Sequence, residues 1–328
     1  MKHSNVAIFV PHNGCPHKCS FCDQKSITGQ AYQPTPLDVK SACETALNSL
    51  KEKSTNAEIA FFGGSFTAID REYMQSLLDA TKPYIDRFYG IRISTRPDCI
   101  DDEILTLLKS YKVTSIELGA QSMCDDVLCA NDRGHTAEDV RIASKLIKEY
   151  GFSLGLQMMT GLYMSNDDKD IYTADEFIAL SPDTVRIYPT ITMKNTRLAQ
   201  LYYDGEYVPQ TLDNAVDLCA KLLYKFTKNN INVIRLGLHH SDSLEKDMVA
   251  GPYHPAFREL CESKILLNKF LSLAKNFDKN EITVKINPKC VSKFVGNEKG
   301  NIKKIKEIGY DLIIIQDENV SYMDMSLS

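Results

Sequence analysis

Along most of the chain, short apolar runs rich in Ile, Val and Phe alternate with longer stretches whose apolar residues recur at helical spacing. Strands are expected at 6–10, 59–62, 91–95, 116–118, 154–158 and 185–188, and helices at 37–51, 71–85, 103–109, 137–150 and 171–180. Six successive βα units favour parallel strands with right-handed crossovers, in an open doubly wound sheet or a full or partial barrel. Polar residues and glycines sit where these strands end: Gly63-Gly64, Thr95-Arg96, residues 119–121 and 159–161, and Tyr188-Pro189. Ligand sites gather at that rim, which tilts the reading to a barrel. The expected fold class is α/β, a partial (β/α)6 TIM-type barrel.

A further helix at 212–228 precedes a seventh strand at 232–238 and a loop carrying Gly251-Pro252-Tyr253-His254-Pro255. Beyond it the pattern changes to a helix at 257–274, a strand at 282–286, a short helix at 290–295, a glycine-bearing turn, a helix at 302–308 and a strand at 312–316. A boundary is placed near Asp278, giving a barrel unit at 1–278 and a small α+β unit at 279–328.

The 328 residues are 43% hydrophobic and 25% charged without a Pro- or Gly-rich tract, which excludes a mostly disordered, collagen-like or coiled-coil chain. The apolar run at 231–238 is interrupted by Asn232 and Arg235 and falls far short of the roughly 20 residues that span a bilayer. The N-terminus leads straight into a β-like run without the apolar segment of a secretory signal, so a cytoplasmic location without a membrane partner is expected. There, ten cysteines are not expected to form a disulfide framework, and their spacing is read as chemistry.

Cys15, Cys19 and Cys22 follow the first strand in PHNGCPHKCSFCDQ, with the spacing Cys-x3-Cys-x2-Cys on one loop. Three thiolates so placed can wrap one iron–sulfur cluster and leave one iron without a protein ligand, a place for chemistry. Gly14 and Pro16 allow the tight backbone path. The alternative from the triplet alone is a structural zinc site with His12 or His17 as fourth ligand. Cys43, Cys99, Cys219 and Cys261 lie in or beside helical stretches, where a lone Cys is usually a small buried hydrophobe.

The triplet resembles the signature of radical S-adenosylmethionine (SAM) enzymes. The blocks that follow resemble the branch that includes the catalytic subunit of Elongator: FFGGSFTAI (61–69), ISTRPDCI (93–100), ELGAQSMCDDVL (117–128), NDRGHT (131–136), MMTGL (158–162), RIYPT (186–190) and GPYHPAF (251–257). The resemblance implies that Cys15, Cys19 and Cys22 hold a four-iron four-sulfur (4Fe-4S) cluster, that SAM chelates the fourth iron, and that reductive cleavage of SAM releases a 5′-deoxyadenosyl radical. An electron donor such as a flavodoxin or ferredoxin is implied as a partner.

Residue by residue, Gly63 and Gly64 match the paired glycines that approach the methionine end of SAM, where a missing Cβ lets backbone come close to a ligand. Ser65 stands where many such enzymes carry an acid, which leaves the amino-group contact to backbone carbonyls. Gln121 and Ser122 match a motif near the SAM ribose, and Arg133 a position near its carboxylate, a partner suited to the guanidinium fork. Ser94 and Gln157 occupy places where the related coproporphyrinogen oxidases carry acids. Tyr188, Tyr253 and His254 are substrate candidates, and no catalytic side chain is assigned.

Net charge is −5, against blanket nucleic-acid affinity, yet between Glu281 and Lys306 seven lysines face two glutamates. The segment resembles the minimal core of a KH domain, whose Gly-x-x-Gly turn clamps about four nucleotides of single-stranded RNA. Gly296 keeps the family's offset, whereas Lys299 takes the second glycine's place and Gly300 follows it. The resemblance points to transfer RNA as substrate. No residues follow Ser328 to form the acetyltransferase domain of Elongator-type enzymes, so acetyl transfer is not expected of this chain. The rival readings are the same radical machinery acting on a small molecule or peptide, and a non-catalytic zinc-stabilised RNA-binding protein.

Overall fold

All six expected strands form, each longer than the apolar run that predicted it: β1 (Ser4–Val10), β2 (Ala57–Gly63), β3 (Gly90–Thr95), β4 (Val113–Gln121), β5 (Ser153–Thr160) and β6 (Thr184–Pro189). The structure is a computed structural model and describes residues 4–11, 18–23, 32–275, 277 and 280–328. After a two-residue strand β7 (Thr192–Met193) come β8 (Asn232–Leu236) and β9 (Met248–Ala250), which pairs antiparallel with β7. The main sheet has the order β1-β2-β3-β4-β5-β6-β8, with every neighbouring pair parallel. The arc therefore extends one strand beyond the six expected units and curls into a half barrel. The seventh strand joins with Val233 and Leu236 buried on the core side, three residues apart because its register shifts between them.

The helices are α1 (Pro36–Leu50), α2 (Arg71–Asp79), α3 (Asp102–Ser110), α4 (Asp125–Ala130), α5 (Ala137–Glu149), α6 (Asp167–Leu180), α7 (Arg197–Tyr203), α8 (Leu212–Lys228), α9 (Asp242–Asp247) and α10 (Phe257–Ala274). Of these, α1, α2, α3, α5, α6 and α8 cover the convex face, whereas α4, α7 and α9 bury side chains in two small clusters apart from the main core. In α5 the Thr136 hydroxyl accepts from Asp139 N while the Asp139 carboxylate accepts from Thr136 N, and Val140, Ala143, Ser144 and Ile147 make the buried stripe. α2 ends at Asp79, short of the expected residue 85. Pro83 supplies no N–H to continue it, and the Thr81 hydroxyl turns back onto Leu78 O at 2.7 Å. No helix of the described residues is long and apolar enough to cross a membrane.

The period of two along each strand divides the sheet into two faces. Ile59, Ile91, Ile93, Ile116, Leu154 and Val185 are fully buried in the apolar core under the helices. The alternating positions, among them Glu58, Arg92, Ser94, Glu117, Gln157 and Arg186, turn to the concave face.

The C-terminal unit contains β10 (Glu281–Ile286), α11 (Val291–Val295), α12 (Gly300–Glu307), β11 (Asp311–Gln316) and β12 (Met325–Leu327). β10 lies in the middle of its sheet, parallel to β11 and antiparallel to β12. Its core joins Ile282, Val284, Ile286, Phe294 and Ile305 to Leu266 and Phe270 of α10, whereas Phe257 and Cys261 of the same helix belong to the barrel core. The two cores thus meet on α10. Asp278, where the sequence boundary falls, and Lys279 lie outside the described residues.

Phe294 is fully buried with its ring 5.9 Å from that of Phe270. Phe294→Ala is expected to cost the C-terminal unit ~3–5 kcal/mol and to introduce an early transition in urea denaturation followed by circular dichroism. An unchanged denaturation curve would contradict a core that depends on this ring.

Candidate functional site

At the C-terminal rim of the half barrel, just beyond β1, a short turn carries Cys19 and Cys22, closed by Cys22 N donating to Cys19 O at 3.1 Å. Cys15, the first cysteine of the triplet, lies outside the described residues. Ser20 holds the turn. Its N donates to Asn131 O at 3.1 Å, its hydroxyl to Asn131 Oδ1 at 2.8 Å, and its carbonyl accepts from Leu198 N at 2.8 Å. Asn131 is itself fully buried and donates through Nδ2 to Val127 O and Tyr163 O. Beneath the turn, Phe21, Val127, Leu162, Leu198 and Tyr207 form a small core of their own. Three elements therefore converge on two residues: the end of α4, the start of α7 and the loop after β5.

Arg133 reaches the cysteine turn from the other side. Its Nη1 lies 2.9 Å from Cys19 Sγ, its Nη2 donates to Gly119 O at 2.5 Å, and its guanidinium sits 6.0 Å from the Phe21 ring centroid. Arg96 makes a two-pronged pair with Asp98 at 2.9 Å for each contact. Among the described residues, Arg133 Nε and Arg96 Nη1 are buried without a hydrogen-bond partner. His135 is 3.1 Å from Ala120 O through Nε2, and its pKa is pushed down to about 4, first by burial and then by the charges of Arg133 and Arg96. Two guanidinium groups, of Arg133 and Arg96, stand here, and their orphaned donors suit an anionic group close by. The donor set fits a thiolate-held cluster with a carboxylate-bearing ligand. Asn131 was not singled out from the sequence, and Arg96 only as a polar residue of the rim, although they stand in the blocks NDRGHT and ISTRPDCI.

The positions matched to SAM contacts divide into two groups. Gly63 (φ +117°) and Gly64 end β2 half-exposed on the rim, and Gly64 N donates to Val10 O at 2.8 Å. A Cβ on Gly63 would stand 2.7 Å from Val10 O, so the neighbouring strand β1 alone demands glycine there. Gln121 (φ +69°) follows a register shift in β4, and Gln157 Nε2 approaches its Oε1 at 3.3 Å. Ser65 and Ser122, in contrast, are buried and engaged. The Ser65 hydroxyl is 2.8 Å from that of Thr95 and accepts from Arg96 N, tying the end of β2 to the end of β3. The Ser122 hydroxyl accepts from Cys124 N at the start of α4 and lies 3.4 Å from the hydroxyl of Thr173 on α6.

On the concave face, Glu117 pairs with Arg186 at 2.7 Å and lies 3.8 Å from Arg92, which in turn pairs with Glu58 at 2.7 Å. Burial opposes the charge on Arg186, but Glu117 and Tyr188 beside it hold its pKa above the ordinary value. Tyr188 places its hydroxyl 3.4 Å from Arg186 Nη1 and is half-exposed above this pair. Tyr253 OH meets His240 Nδ1 at 3.1 Å, and His254 Nδ1 accepts from Ala256 N at 3.0 Å, so both residues shape the loop that leads into α10. They line a shallow hollow with Pro189 and Gly237. Gly296 (φ +79°) ends α11 in the C-terminal unit, and Lys299 there is exposed at φ +61°. Lysine at the second glycine's place thus adopts the left-handed conformation that glycine would take without strain. Gly300 begins α12 with an ordinary helical φ of −59°.

Residues 9–178, more than half of the chain, match the profile of the Radical SAM superfamily, and 182–266 match that of the Radical SAM C-terminal domain. The chain is similar to the tRNA uridine(34) acetyltransferase of Dehalococcoides mccartyi, 27% identical over 252 residues that cover 66% of this chain and 55% of the relative. It is also similar to Elongator complex protein 3 of Dictyostelium discoideum, 29% identical over 267 residues, with 66% and 47% covered. The chain spans about half the length of the curated relatives it matches. In fold it is similar to an N-terminally truncated Elp3 of the archaeon Methanocaldococcus infernus, with a TM-score of 0.63 at 21% identity over 81% of this chain and 63% of that structure.

The loop after β5, which Asn131 grips, rests on Asp170. This carboxylate accepts from Gly161 N at 2.8 Å and from the Ser165 hydroxyl at 2.6 Å, and burial raises its pKa to about 7 against the lowering effect of those bonds. Between about pH 4 and 7 the unfolded chain has already ionised here while the fold keeps its proton, so stability from this group falls as pH rises through that window. Asp170→Asn, which cannot ionise, is expected to gain on the wild type by up to ~4 kcal/mol across that range. Urea midpoints of both proteins measured at several pH values check this, and a pH-independent difference would refute the assignment.

Proposed function

Because the chain belongs to the radical SAM superfamily, whose cofactors are a 4Fe-4S cluster and SAM, we propose that it modifies a base of transfer RNA by carbon-centred radical chemistry in the cytoplasm. In this reading Cys15, Cys19 and Cys22 are the cluster ligands. Bound together, the cluster and SAM supply a one-electron cleavage of the sulfonium that generates a carbon radical. A low-potential donor such as a flavodoxin or ferredoxin delivers the electron.

The observation that carries the reading is the Arg133 contact to Cys19 on a turn fixed from two sides. A guanidinium donating to the sulfur would offset the negative charge of a metal-bound thiolate. Arg133 Nε and Arg96 Nη1 then serve as donors to the SAM carboxylate, and Gly63, Gly64 and Gln121 line the cofactor's path along the rim. Ser65 and Ser122 act one step back, fixing strand ends and helix starts rather than touching the ligand. Tyr188, and the loop of Tyr253 and His254, border the concave face where substrate would enter. For transfer RNA the support is the activity in the name of the Dehalococcoides relative, together with the lysine-rich C-terminal unit, in which Gly296 and Lys299 form a KH-like RNA-contacting turn. Acetyl transfer forms no part of the proposal.

Anaerobic loading with iron and sulfide, followed by SAM, a reductant and unmodified transfer RNA, is expected to give deoxyadenosine and a mass shift in the RNA. Cys19→Ala should lose the visible iron–sulfur absorption and all deoxyadenosine release; retained SAM cleavage would sink the ligand assignment. Lys299→Glu should weaken transfer RNA binding and reduce the slope of log affinity against log salt by about one, with iron content unchanged. Unaltered filter binding would remove the turn from the RNA site.

A further inference from the structure

The concave face of the barrel carries more charge than its ion pairs use. From β2 to β6 the signs alternate, Glu58, Arg92, Glu117, Arg186, each residue within 4 Å of the next. Gly155 on the intervening strand β5 is register partner of Glu117, and a Cβ there would stand 3.2 Å from Glu117 Cγ. The glycine leaves the room in which Glu117 and Arg186 meet across β5. The series then ends on β8 with a third arginine. Arg235 is the register partner of Arg186, so two guanidinium groups lie on neighbouring strands of one face.

Arg235 is half-buried, and its Nε donates to Gly237 O at 2.7 Å. Among the described residues no carboxylate lies within ion-pair distance of it. The two carboxylates of the series are already shared among Arg92 and Arg186, leaving the third guanidinium uncompensated beside a like charge. A half-buried charge without a counter-ion costs free energy, and an anion between the two arginines would offset that cost. Burial, and then the charges of Arg186 and Arg258, outweigh the opposing effect of Tyr188 and hold the Arg235 pKa below its ordinary value. The Tyr188 hydroxyl stands beside Arg186 as a further donor. Guanidinium forks match the paired oxygens of phosphate and carboxylate groups.

We infer that Arg235, with Arg186 and Tyr188, forms an oxyanion subsite in the barrel that takes a phosphate or carboxylate group of the substrate. This deepens the proposed function, since it rests on the concave face being the substrate side.

Titration calorimetry of inorganic phosphate into the anaerobically loaded protein, with SAM present and ionic strength fixed, is expected to show one saturable site. Arg235→Met should weaken it about tenfold or more, and Arg235→Lys, which keeps the charge without the fork, should weaken it less. Acetate that competes with phosphate assigns the subsite to a carboxylate, whereas acetate that does not assigns it to phosphate. Equal phosphate affinity in the wild type and a folded Arg235→Met protein overturns the subsite, as does the absence of saturable heat in the wild type. Should Arg235→Met fail to fold, Tyr188→Phe serves instead: weaker phosphate binding supports the subsite and unchanged binding overturns it. Phosphate binding in a protein that never cleaves SAM leaves the subsite standing while the radical function falls, and SAM cleavage without phosphate binding does the reverse.

Discussion

Three hydrogen bonds to Ser20 fix the cysteine turn on which the proposed cofactor site depends. The cysteine turn is a few residues long, and beyond the packing of Phe21 into the small core beneath it, its position is set by Asn131 and Leu198. Each such bond contributes about 1 kcal/mol net, but Asn131 is fully buried and bonded at every side-chain atom, so losing it would leave several buried partners unsatisfied at once. Through Tyr163 O the same residue ties the turn to the loop after β5, and that loop stands on the buried carboxylate of Asp170. The turn that carries Cys19, a proposed cluster ligand, is thereby held by a chain of contacts that runs through α4 and the rim to α6.

Much of the scaffold was legible in the sequence because its physics is local. The period-two strands and period-3.6 helices appeared where the apolar pattern placed them, and α1 begins at Pro36 after the Thr35 cap within one residue of the expected start. The one helix that stopped early, α2, was overruled by Pro83, a signal present in the sequence but outweighed by the apolar spacing around it. The first six strands were underestimated because polar ends such as Glu58 in β2 and Ser115 in β4 interrupt the apolar runs, whereas β8 stops at Leu236, two residues short of the expected end, where Gly237 turns to positive φ. Glu58 and Ser115 are polar for a reason that acts across the sheet: the Ser115 hydroxyl donates to the Glu58 carboxylate at 2.6 Å, two strands away.

The candidate site was legible to a different depth. Cysteine spacing and short motif blocks pointed to the chemistry, and the fold brings Arg133, assigned from the sequence to the SAM carboxylate, against Cys19. What spacing could not distinguish is a side chain that faces a ligand from one that braces its neighbour. Ser65 and Ser122 occupy matched positions, yet both hydroxyls are spent inside the protein. Gly63 illustrates the same ambiguity, because the carbonyl of Val10 excludes a side chain there whether or not a ligand approaches. Asn131 had no signal of its own, since a buried asparagine gains meaning only from the partners that the fold brings to it.

Charge on the concave face follows from a further constraint. A closed barrel of eight strands fills its interior with side chains, whereas a seven-stranded arc leaves the interior open at the side where β8 ends the sheet. Charged residues can then remain on the inner face, provided that they compensate one another, and Glu58, Arg92, Glu117 and Arg186 do so in sequence across the strands. Such a ladder fixes the relative register of β2, β3, β4 and β6 more specifically than apolar contacts would, because a slip of one residue would bury each charge without its partner. The same rigidity bears on chemistry at the rim. Gly63, Arg96, Gln121 and Tyr188 all stand within a few residues of a ladder member on their own or the adjoining strand, so the network that neutralises the interior also sets the positions from which the rim residues act.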